Sequence, residues 1–393
     1  MSKDLLERGI TEVIVKDELE KKLAAGDKLR IYLGIDPTGS DLTIGHAVPL
    51  RKLKQFQDLG HQVILLFGTF TARIGDPTGK NEMRVPLTPE QIEENMKTYL
   101  EQAGKVLNID KVEVVKNGDW LDKMSFADVL KLAGTFTVSQ MLQRDMYQDR
   151  IKQNKEINLT EFMYPLMQGY DPIPIKADIQ IGGTDQLFNL MAGRKIMEAY
   201  GVKPQHVITV QILEGLDGVE KMSKSLNNYI AIFDTAKEMY GKTMSIPDNM
   251  ITRYFELATD VETSAISEIA QSIEKGDNPR DHKMHLAREI IALYHDKAAA
   301  DQAEKEFIEI FANKGIPDEI EVREMPENKY NIVDLVAETE LSTSKSEARR
   351  LVQGGGVRID GEKVPDITSE IDISEEKLLQ VGKRKFLKVV HAR

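Results

Sequence analysis

The fold of this chain is predicted by the stretch Leu29-Arg-Ile-Tyr-Leu-Gly-Ile-Asp-Pro-Thr-Gly-Ser-Asp-Leu-Thr-Ile-Gly-His46. Its apolar first part, 30–35, predicts a short β-strand, and the Pro, Gly and Asp residues that follow predict a loop. From His46 onward, apolar residues recur about every three positions until Gly60, which predicts a helix with a glycine stop. The predicted order is therefore strand, loop, helix.

The loop of this unit predicts a phosphate site. It would place Thr38, Thr43 and His46 beside a helix N-terminus, where unpaired N–H groups and the helix dipole favour anions. Gly45 would let the backbone approach the ligand closely. A lone histidine at a helix start is more often a cap or a surface residue, so this hypothesis depends on a second motif.

That second motif lies far along the chain and needs the same kind of ligand. Lys221-Met222-Ser223-Lys224-Ser225 places two lysines and two serines on a loop flanked by glycines. Such a loop can bring mobile positive charge and hydroxyl donors to a leaving pyrophosphate. Alone, the segment could be a solvated lysine-rich turn. Together, the two motifs predict an ATP site, with the two lysines in catalytic roles and the other three residues in contact with ATP.

The two motifs resemble the signatures of class I aminoacyl-tRNA synthetases, and nearly the whole chain resembles the bacterial tyrosyl-tRNA synthetases. The second signature, known as KMSKS, is unaltered. In the first, known as HIGH, Thr43 replaces the first histidine; its hydroxyl can donate a hydrogen bond to phosphate but cannot carry positive charge. The resemblance implies that the chain joins L-tyrosine to AMP and then to the 3′-terminal ribose of tRNA(Tyr).

Length and composition agree with this interpretation. The 393 residues suggest two or three domains, and the absence of cysteine excludes disulfides and is compatible with a reducing compartment. The first residues lack a secretory apolar core, and no apolar run approaches a membrane span, so we expect a soluble cytoplasmic protein.

Charge is unevenly distributed along the chain. The net charge of −12 argues against a uniformly RNA-binding surface, because phosphate backbones attract lysine and arginine. Residues 341–393, however, carry eleven Lys and Arg against eight Asp and Glu. An acidic body with a basic tail suits an enzyme that holds RNA locally.

Strand and helix patterns alternate through the first half of the chain. Strand-like runs occur at 62–67, 111–116, 177–181 and 206–212, with helical patterns at 89–107 and 186–200. Such alternation predicts an α/β domain with a Rossmann-like parallel sheet that binds ligands outside the carboxyl ends of its strands. The glycine-rich dinucleotide fingerprint is missing, which disfavours an NAD enzyme.

A third candidate site is Gln180-Ile-Gly182-Gly183-Thr-Asp185-Gln186, which would end a strand and begin a helix. Its glycines permit a close backbone approach, and Asp185 can accept hydrogen bonds from a ribose. A double glycine before a helix is often just a tight connection, but the resemblance favours adenylate binding. It also implies that Asp36 contacts the same adenylate.

The resemblance implies a tyrosine pocket as well. Tyr164, Gln168 and Asp171 would share one face of a helix, although Pro165 would restrict that helix to its first turn. The common alternative is a tyrosine packed in the core. By resemblance, Tyr164 and Gln168 bind the substrate's amino end, and Tyr32 and Asp171 bind its phenolic hydroxyl. The complete predicted substrate-binding set is Tyr32, Asp76, Tyr164, Gln168, Asp171 and Gln186.

The turn-rich stretch 75–84 is not a Walker sequence, although it contains glycines and basic residues. By resemblance, Asp76 holds the substrate ammonium, and Lys80 and Arg84 reach the pyrophosphate during the reaction. The alternative for the two basic residues is a simple exposed loop. No carboxylate cage is evident, so we predict no metal site on the protein and expect Mg²⁺ to arrive with ATP.

The predicted domains are a catalytic domain at 1–228, a helical tRNA anticodon-binding domain at 229–316, a linker at 317–328 and a small α+β module at 329–393. The connective segment at about 120–165 resembles the part through which the family dimerises, so we expect a homodimer. The last module resembles the small S-four-like RNA-binding domain.

Local signals in that module favour RNA binding. Ser344 and Glu347 form a capping-box pattern at a helix start, and Asp360-Gly361 is a hairpin signal. A charged surface would explain any one basic cluster, but their order supports RNA contact. The predicted RNA-binding residues are Lys345, Arg349, Arg350, Lys383, Arg384 and Lys385.

Two alternatives stay open at this point. A tryptophanyl-tRNA synthetase would share the fold and the nucleotide signatures, but Tyr32 with Asp171 favours a phenolic substrate. A noncatalytic RNA-binding scaffold derived from a synthetase is the other, and Thr43 is the feature that suggests it. Tyrosine-dependent exchange between ATP and pyrophosphate would separate all three.

Overall fold

The computed structural model describes residues 3–39, 41–78, 87–312, 320–342, 344–382 and 385–392. They form two compact units, residues 1–301 and residues 302–393. Within these described ranges, no helix is long and apolar enough to cross a membrane.

A six-stranded sheet in the order β1-β6-β5-β2-β3-β4 forms the centre of the first unit. Five strands run parallel, as predicted, and β1 pairs antiparallel with β6 at one edge. The sequence analysis missed β1, because its mostly half-exposed residues lack a clear apolar pattern. The strands are β1 (Ile10–Ile14), β2 (Arg30–Ile35), β3 (Gln62–Phe67), β4 (Val112–Lys116), β5 (Ile179–Gly183) and β6 (His206–Val210).

Helices pack against this sheet and bury its central strands. Helix α2 contacts β2, β3 and β5, and α10 contacts β5 and β6. All five residues of β6 are buried, as expected for a parallel strand covered by other elements. The helices up to this point are α1 (Lys16–Ala25), α2 (Ile44–Asp58), α3 (Thr71–Ile74), α4 (Pro89–Ala103), α5 (Gly118–Leu121), α6 (Phe126–Ala133), α7 (Val138–Leu142), α8 (Asp145–Lys152), α9 (Leu159–Tyr170) and α10 (Leu187–Ala199).

The strand–loop–helix unit forms as the sequence predicts. Strand β2 covers the predicted residues, and α2 begins at Ile44, two positions before the predicted start, because Thr43 is its N-cap. Gly60 follows the helix with φ +85°, a left-handed conformation that glycine adopts without strain. The loop between β2 and α2 therefore leaves the carboxyl edge of the sheet.

Helix α9 differs from the prediction at Pro165. Asn158 and Glu161 form a capping box, so the helix begins at Leu159 and Pro165 lies in its interior rather than in its first turn. The prediction for Pro165 was wrong, because the helix continues despite losing the hydrogen bond that a proline N–H cannot make. Tyr164 and Gln168 still lie on one helix, and Asp171 directly follows it.

Residues 211–235 form loops with isolated bridges, and the first unit is mainly helical from there on, with α11 (Ala236–Ser245), α12 (Ile251–Ala258), α13 (Thr263–Glu274), α14 (Pro279–Tyr294) and the start of α15 (Lys297–Ala312). The N-terminal segment is tied to this part by Arg8. Its guanidinium donates hydrogen bonds to the backbone carbonyls of Phe255, Glu256, Thr259 and Val261. Arg8 thus satisfies two carbonyls in the last turn of α12 and two in the segment that follows it.

The second unit contains a five-stranded sheet in the order β10-β9-β12-β13-β7 and a two-stranded pair, β11-β8. Two helices, α16 (Ile332–Glu338) and α17 (Lys345–Gln353), contribute Leu335, Val336 and Ala348 to its core. The strands are β7 (Val322–Met325), β8 (Lys329–Asn331), β9 (Val357–Ile359), β10 (Glu362–Lys363), β11 (Glu370–Asp372), β12 (Lys377–Val381) and β13 (Lys385–His391).

Local predictions for this unit agree with the structure except at its start. Ser344 caps α17, and Asp360 and Gly361 turn the β9–β10 hairpin with positive φ angles of 52° and 86°. Strand β7 differs, because it lies within the predicted 317–328 linker and pairs in parallel with β13. Its acidic and proline-flanked sequence resembles a linker. It is nevertheless a strand, because it pairs with β13, which is distant in sequence.

Candidate active site

A cavity of about 250 Å³ opens at the carboxyl ends of β2, β5 and β6, where ligands bind in parallel sheets. Ile35, Gly183 and Val210, the last residues of these strands, line it. The structure brings most of the predicted site residues to this cavity. Those that line it are Asp36, Thr38, Gly45, His46, Asp76, Tyr164, Gln168, Asp171, Gly182, Gly183, Asp185, Gln186, Lys221 and Met222.

The remaining predicted residues lie elsewhere. Tyr32 and Thr43 are buried behind the cavity, with exposed fractions of 1% and 0%. Ser223, Lys224 and Ser225 follow the lining residue Met222 on the KMSKS segment. The predicted residues outside the described ranges are Lys80, Arg84, Lys383 and Arg384.

Thr43 and His46 form a reciprocal pair at the start of α2. The Thr43 hydroxyl accepts a hydrogen bond from the His46 backbone N–H, and Nδ1 of His46 accepts one from the Thr43 backbone N–H at 3.1 Å. Because Nδ1 is an acceptor, the neutral ring carries its proton on Nε2, as assigned from these partners.

His46 is held in this neutral form. Desolvation in the cleft, together with the positive charges of Lys221 and Lys224, lowers the pKa of His46 to about 4. The side chain is nevertheless exposed at the cavity, where water screens part of the charge effect. A neutral imidazole with Nε2–H toward the ligand can donate a hydrogen bond to a phosphate oxygen.

The two signatures meet across two glycines. Met222 is 3% exposed and packs on Gly45, where a Cβ atom would lie 3.4 Å from the Met222 Cβ. A Cβ atom at Gly39 would lie 2.6 Å from Nζ of Lys224. Glycine at position 39 therefore leaves room for this lysine beside the nucleotide loop. Partial burial lowers the pKa of Lys224, and Asp41 acts in the opposite direction.

Lys221 forms an ion pair with Asp185, with Nζ 2.6 Å from Oδ2. The two side chains are 57% and 26% exposed, so the pair contributes little to stability. The ion pair instead fixes a position: it places Lys221, the first lysine of the KMSKS motif, beside the carboxylate that is predicted to bind ribose.

Asp36 and Asp76 are fixed by neighbouring donors. Tyr164 and Thr71 donate their hydroxyls to the two oxygens of Asp36 at 2.8 Å and 2.7 Å. Asp76 accepts the side-chain amide of Gln186 at 2.8 Å. Two oriented carboxylates on one wall can bind a ligand's ammonium or hydroxyl groups.

Asp171 forms the buried end of the cavity, with 2% of its surface exposed. It accepts hydrogen bonds from Nε1 of Trp120 at 3.0 Å and from Nδ2 of Asn117 at 3.4 Å. Burial raises the pKa of Asp171 well above its usual range. Burial, and then the charge of Asp171, raises the pKa of Tyr32, whose buried hydroxyl has no hydrogen-bond partner within the described chain.

Sequence reasoning missed Thr71, Asn117 and Trp120. They reach the site through contacts with residues 35 to 54 positions away, and no local pattern marks them. The one usable signal was that Trp120 is the sole tryptophan of the chain.

As for metals, no group of three or more His, Cys, Asp or Glu in the described residues could hold an ion. Mg²⁺ carried by ATP stays a prediction.

Comparison with known proteins identifies the family. Residues 24–312 match the model for class I tRNA synthetases (W and Y), and residues 309–389 match the Tyrosine--tRNA ligase SYY-like C-terminal domain. A Tyrosine--tRNA ligase of Thermotoga maritima is 51% identical, covering 98% of this chain and 96% of that protein. The chain belongs to the tyrosine–tRNA ligase family. A Tyrosine--tRNA ligase of Moorella thermoacetica is 47% identical, covering 98% of this chain and 94% of that protein.

A solved tyrosine–tRNA ligase shares the fold. The C-terminally truncated mitochondrial tyrosyl-tRNA synthetase of Aspergillus nidulans is 25% identical, with a TM-score of 0.63, and the match covers 78% of this chain and 93% of that one. Family membership confirms the predicted fold class, the aminoacyl-tRNA ligase activity with tyrosine, and ATP as a substrate. The tryptophanyl and scaffold alternatives are therefore set aside.

Proposed function

We propose that this tyrosine–tRNA ligase activates L-tyrosine in the 250 Å³ cavity and then transfers it to the 3′-terminal ribose of tRNA(Tyr). One observation carries the assignment of the site. Lys221 and Met222 of one signature and Gly45 and His46 of the other line the same cavity, and Asp171 closes its far end. Nucleotide and amino acid can therefore meet in one enclosed space.

Tyrosine enters with its phenol toward Asp171. Asp171 already accepts hydrogen bonds from Trp120 and Asn117, and the phenolic hydroxyl supplies a further donor to this buried carboxyl group. Tyr32 contributes a second polar atom at this end. Phenylalanine would bring no hydroxyl to either group and would leave the Tyr32 hydroxyl without a partner among the described residues, so the pocket would reject it.

The amino end of tyrosine lies toward Asp76. Asp76 supplies the negative charge for the ammonium group. Gln186 holds a carboxylate oxygen of Asp76, and Tyr164 holds one of Asp36. Gln168 also belongs here, because its Oε1 is buried without a hydrogen-bond partner among the described residues. An ammonium group would satisfy that oxygen.

ATP lies between the two signatures, with Gly182, Gly183 and Asp185 at its ribose. The tyrosine carboxylate attacks the α-phosphorus, and pyrophosphate leaves, so the protein supplies no covalent nucleophile. Thr38, His46, Lys221 and Lys224 align the phosphates and offset the growing charge. Mg²⁺ carried with ATP would offset more of it. The KMSKS residues Ser223 and Ser225, and the basic residues Lys80 and Arg84, are assigned the remaining phosphate contacts.

Thr43 acts through His46 in this scheme. The Thr43 side chain is fully buried and hydrogen-bonded to the imidazole of His46, so it orients the histidine instead of contacting phosphate. A threonine in place of histidine is therefore compatible with catalysis.

For tRNA binding, the second unit offers exposed basic residues. Arg349 and Arg350 project from α17 into solvent. Lys345 pairs with Asp334 at 2.7 Å, and Lys385 donates to the Leu341 carbonyl, so these two lysines have protein partners as well. We assign RNA contact first to the two arginines, with Lys383 and Arg384 as additional candidates. The predicted domain at 229–316 is assigned to the anticodon, and the enzyme to the cytoplasm.

The connective segment supports a homodimer. Phe126, Leu130, Val138 and Leu159 are 57–77% exposed and lie within a short part of the chain. An apolar surface of this kind is stabilised when a second copy covers it. Sedimentation as a monomer at micromolar concentration would overturn the dimer.

The test is exchange of labelled pyrophosphate into ATP with each amino acid in turn. The proposal expects exchange with tyrosine, little with phenylalanine and none with tryptophan. Exchange with tryptophan alone would overturn the substrate, and no exchange with any amino acid would overturn the reaction.

A further inference from the structure

Helix α4 holds both ends of the loop that connects β2 to α2. Asn95 donates its side-chain amide to the Pro37 carbonyl at 2.9 Å, near the start of the loop. Gln102 accepts the Leu42 backbone N–H at 2.5 Å, near its end. The two residues are seven positions apart, about 10 Å along a helix axis, so α4 sets the span between the loop ends.

The Gln102 contact is unusual because of its burial. Gln102 and Leu42 both have an exposed fraction of 0%. A buried amide loses its hydration and is destabilising unless its groups are paired, whereas an apolar side chain would pack here without that requirement. Gln102 uses its oxygen on Leu42 and its amide N–H₂ on the Thr98 carbonyl. The hydrogen bond that holds the loop at Leu42 therefore explains why a polar residue, Gln102, occupies this buried position.

Leu42 is held from the opposite side by the segment that follows the KMSKS motif. Its carbonyl accepts the Ile232 N–H at 2.9 Å, Thr43 forms an antiparallel bridge with Ala231, and the Ile44 N–H donates to the Ile230 carbonyl. The loop end before His46 is thus fixed between α4 and residues 230–232. A shift of Leu42 would move Thr43 and His46 with it.

We propose that Asn95 and Gln102 are positioning residues for ATP, which hold Thr38 and His46 at the separation that the nucleotide phosphates require. This rests on the proposed function. Neither residue lines the cavity, and the hydrogen bonds described above go to the loop before α2, so the effect falls on ATP and not on free tyrosine.

Two nearly isosteric variants test the proposal in the full-length enzyme, Gln102→Met and Asn95→Leu. Each is expected to lower kcat/KM for ATP in pyrophosphate exchange by about tenfold, as for loss of one well-placed hydrogen bond. The tyrosine dissociation constant, read from the fluorescence of Trp120, should stay within about twofold, because that step does not use the loop.

Gln57→Met is the matched control. Gln57 is 8% exposed and exchanges two side-chain hydrogen bonds with the Asn108 backbone, far from the cavity lining. It should lower the thermal midpoint as Gln102→Met does and leave kcat/KM for ATP within about twofold. The same loss of ATP use in this control would overturn the proposal.

Wild-type kcat/KM for ATP in both Gln102→Met and Asn95→Leu would also overturn it. If Gln102→Met does not fold, Asn95→Leu decides alone, because Asn95 is only half-buried. If the unmodified enzyme shows no exchange, the proposed function fails. Titration with a non-hydrolysable ATP analogue would still decide this proposal, since both variants should bind it more weakly than Gln57→Met.

Discussion

The Thr43 hydroxyl oxygen lies 2.8 Å from Nδ1 of His46, and the Thr43 backbone N–H donates to the same nitrogen. Thr43→Val keeps the shape and removes the hydroxyl. We expect kcat for pyrophosphate exchange to fall about tenfold, and stability to fall by about 1 kcal/mol because the N-cap is lost. Thr43→Ser should restore both. Stopped-flow kinetics and urea unfolding measure them, and wild-type kcat in Thr43→Val would contradict the role.

His46 should stay neutral throughout the physiological pH range. Its folded pKa of about 4 lies below the ordinary 6.5, so the unfolded chain takes up the proton first as pH falls. This group therefore lowers the stability of the folded state progressively as pH falls from 6.5 to about 4; the loss is complete below 4 and absent above 6.5. An NMR titration of the imidazole, assigned with His46→Gln, checks this.

The same titration tests how much the lysine charges add to burial, the main cause of that shift. Lys224→Met removes a nearby positive charge, so the pKa of His46 should rise toward its ordinary value. An unchanged pKa of His46 in Lys224→Met would contradict a contribution from this charge, and titration near 6.5 in the unmodified enzyme would contradict the lowered pKa.

Asp171→Asn should reduce the preference for tyrosine over phenylalanine. An amide has one acceptor oxygen where the carboxylate has two, so it cannot accept hydrogen bonds from the phenol, Trp120 and Asn117 together. We therefore expect kcat/KM for tyrosine to fall at least about tenfold. Phenylalanine should be less affected. An unchanged ratio in the exchange assay would remove Asp171 from the pocket.

The Asp171 variant also has an expected pH signature. The raised pKa means that the folded state keeps a proton that the unfolded chain releases near 3.8. The stability this provides is complete below 3.8 and is lost as pH rises through the folded value. The thermal midpoint of Asp171→Asn should therefore exceed that of the unmodified enzyme by more at pH 8 than at pH 5.

Lys224→Ala should slow adenylate formation by about tenfold or more and leave tyrosine binding within about twofold, because its charge acts on the leaving pyrophosphate. Lys237→Ala, at an exposed site on α11, is the control and should match the unmodified enzyme. Burst kinetics give the first quantity and Trp120 fluorescence gives the second. Equal effects in both variants would argue against a specific role.

A chain that ends at residue 312 should activate tyrosine normally and charge tRNA poorly. It keeps the first compact unit and all of α15, and it removes the module with Arg349 and Arg350. A cut at 327 would be a worse test, because it would leave β7 without its partner β13. Normal charging of tRNA by the shorter chain would contradict RNA binding by the module.

The sequence predicted the elements whose signals are local. Strand β2 has a continuous apolar run, and α17 has its capping pattern at Ser344, so both agree with the structure. Elements defined by distant partners were missed or misplaced. Strand β1 depends on β6, and β7 depends on β13, and neither has a clear pattern of its own.

The candidate site shows the same division. The signatures at His46 and Lys221 could be predicted, since each is a short run of chemically distinctive residues. The contacts of Trp120 with Asp171 and of Gln102 with Leu42 could not, because each joins segments about 50 to 60 positions apart. Residue type alone does not indicate which buried amide or indole will reach a site.

Arg8 has a consequence for how the chain is made. Its four acceptor carbonyls lie between residues 255 and 261, so Arg8 cannot reach its final place during synthesis until about 250 further residues have been added. At about 5–20 residues per second, that delay is roughly 12–50 s. During synthesis the guanidinium of Arg8 therefore lacks these four acceptors for that time.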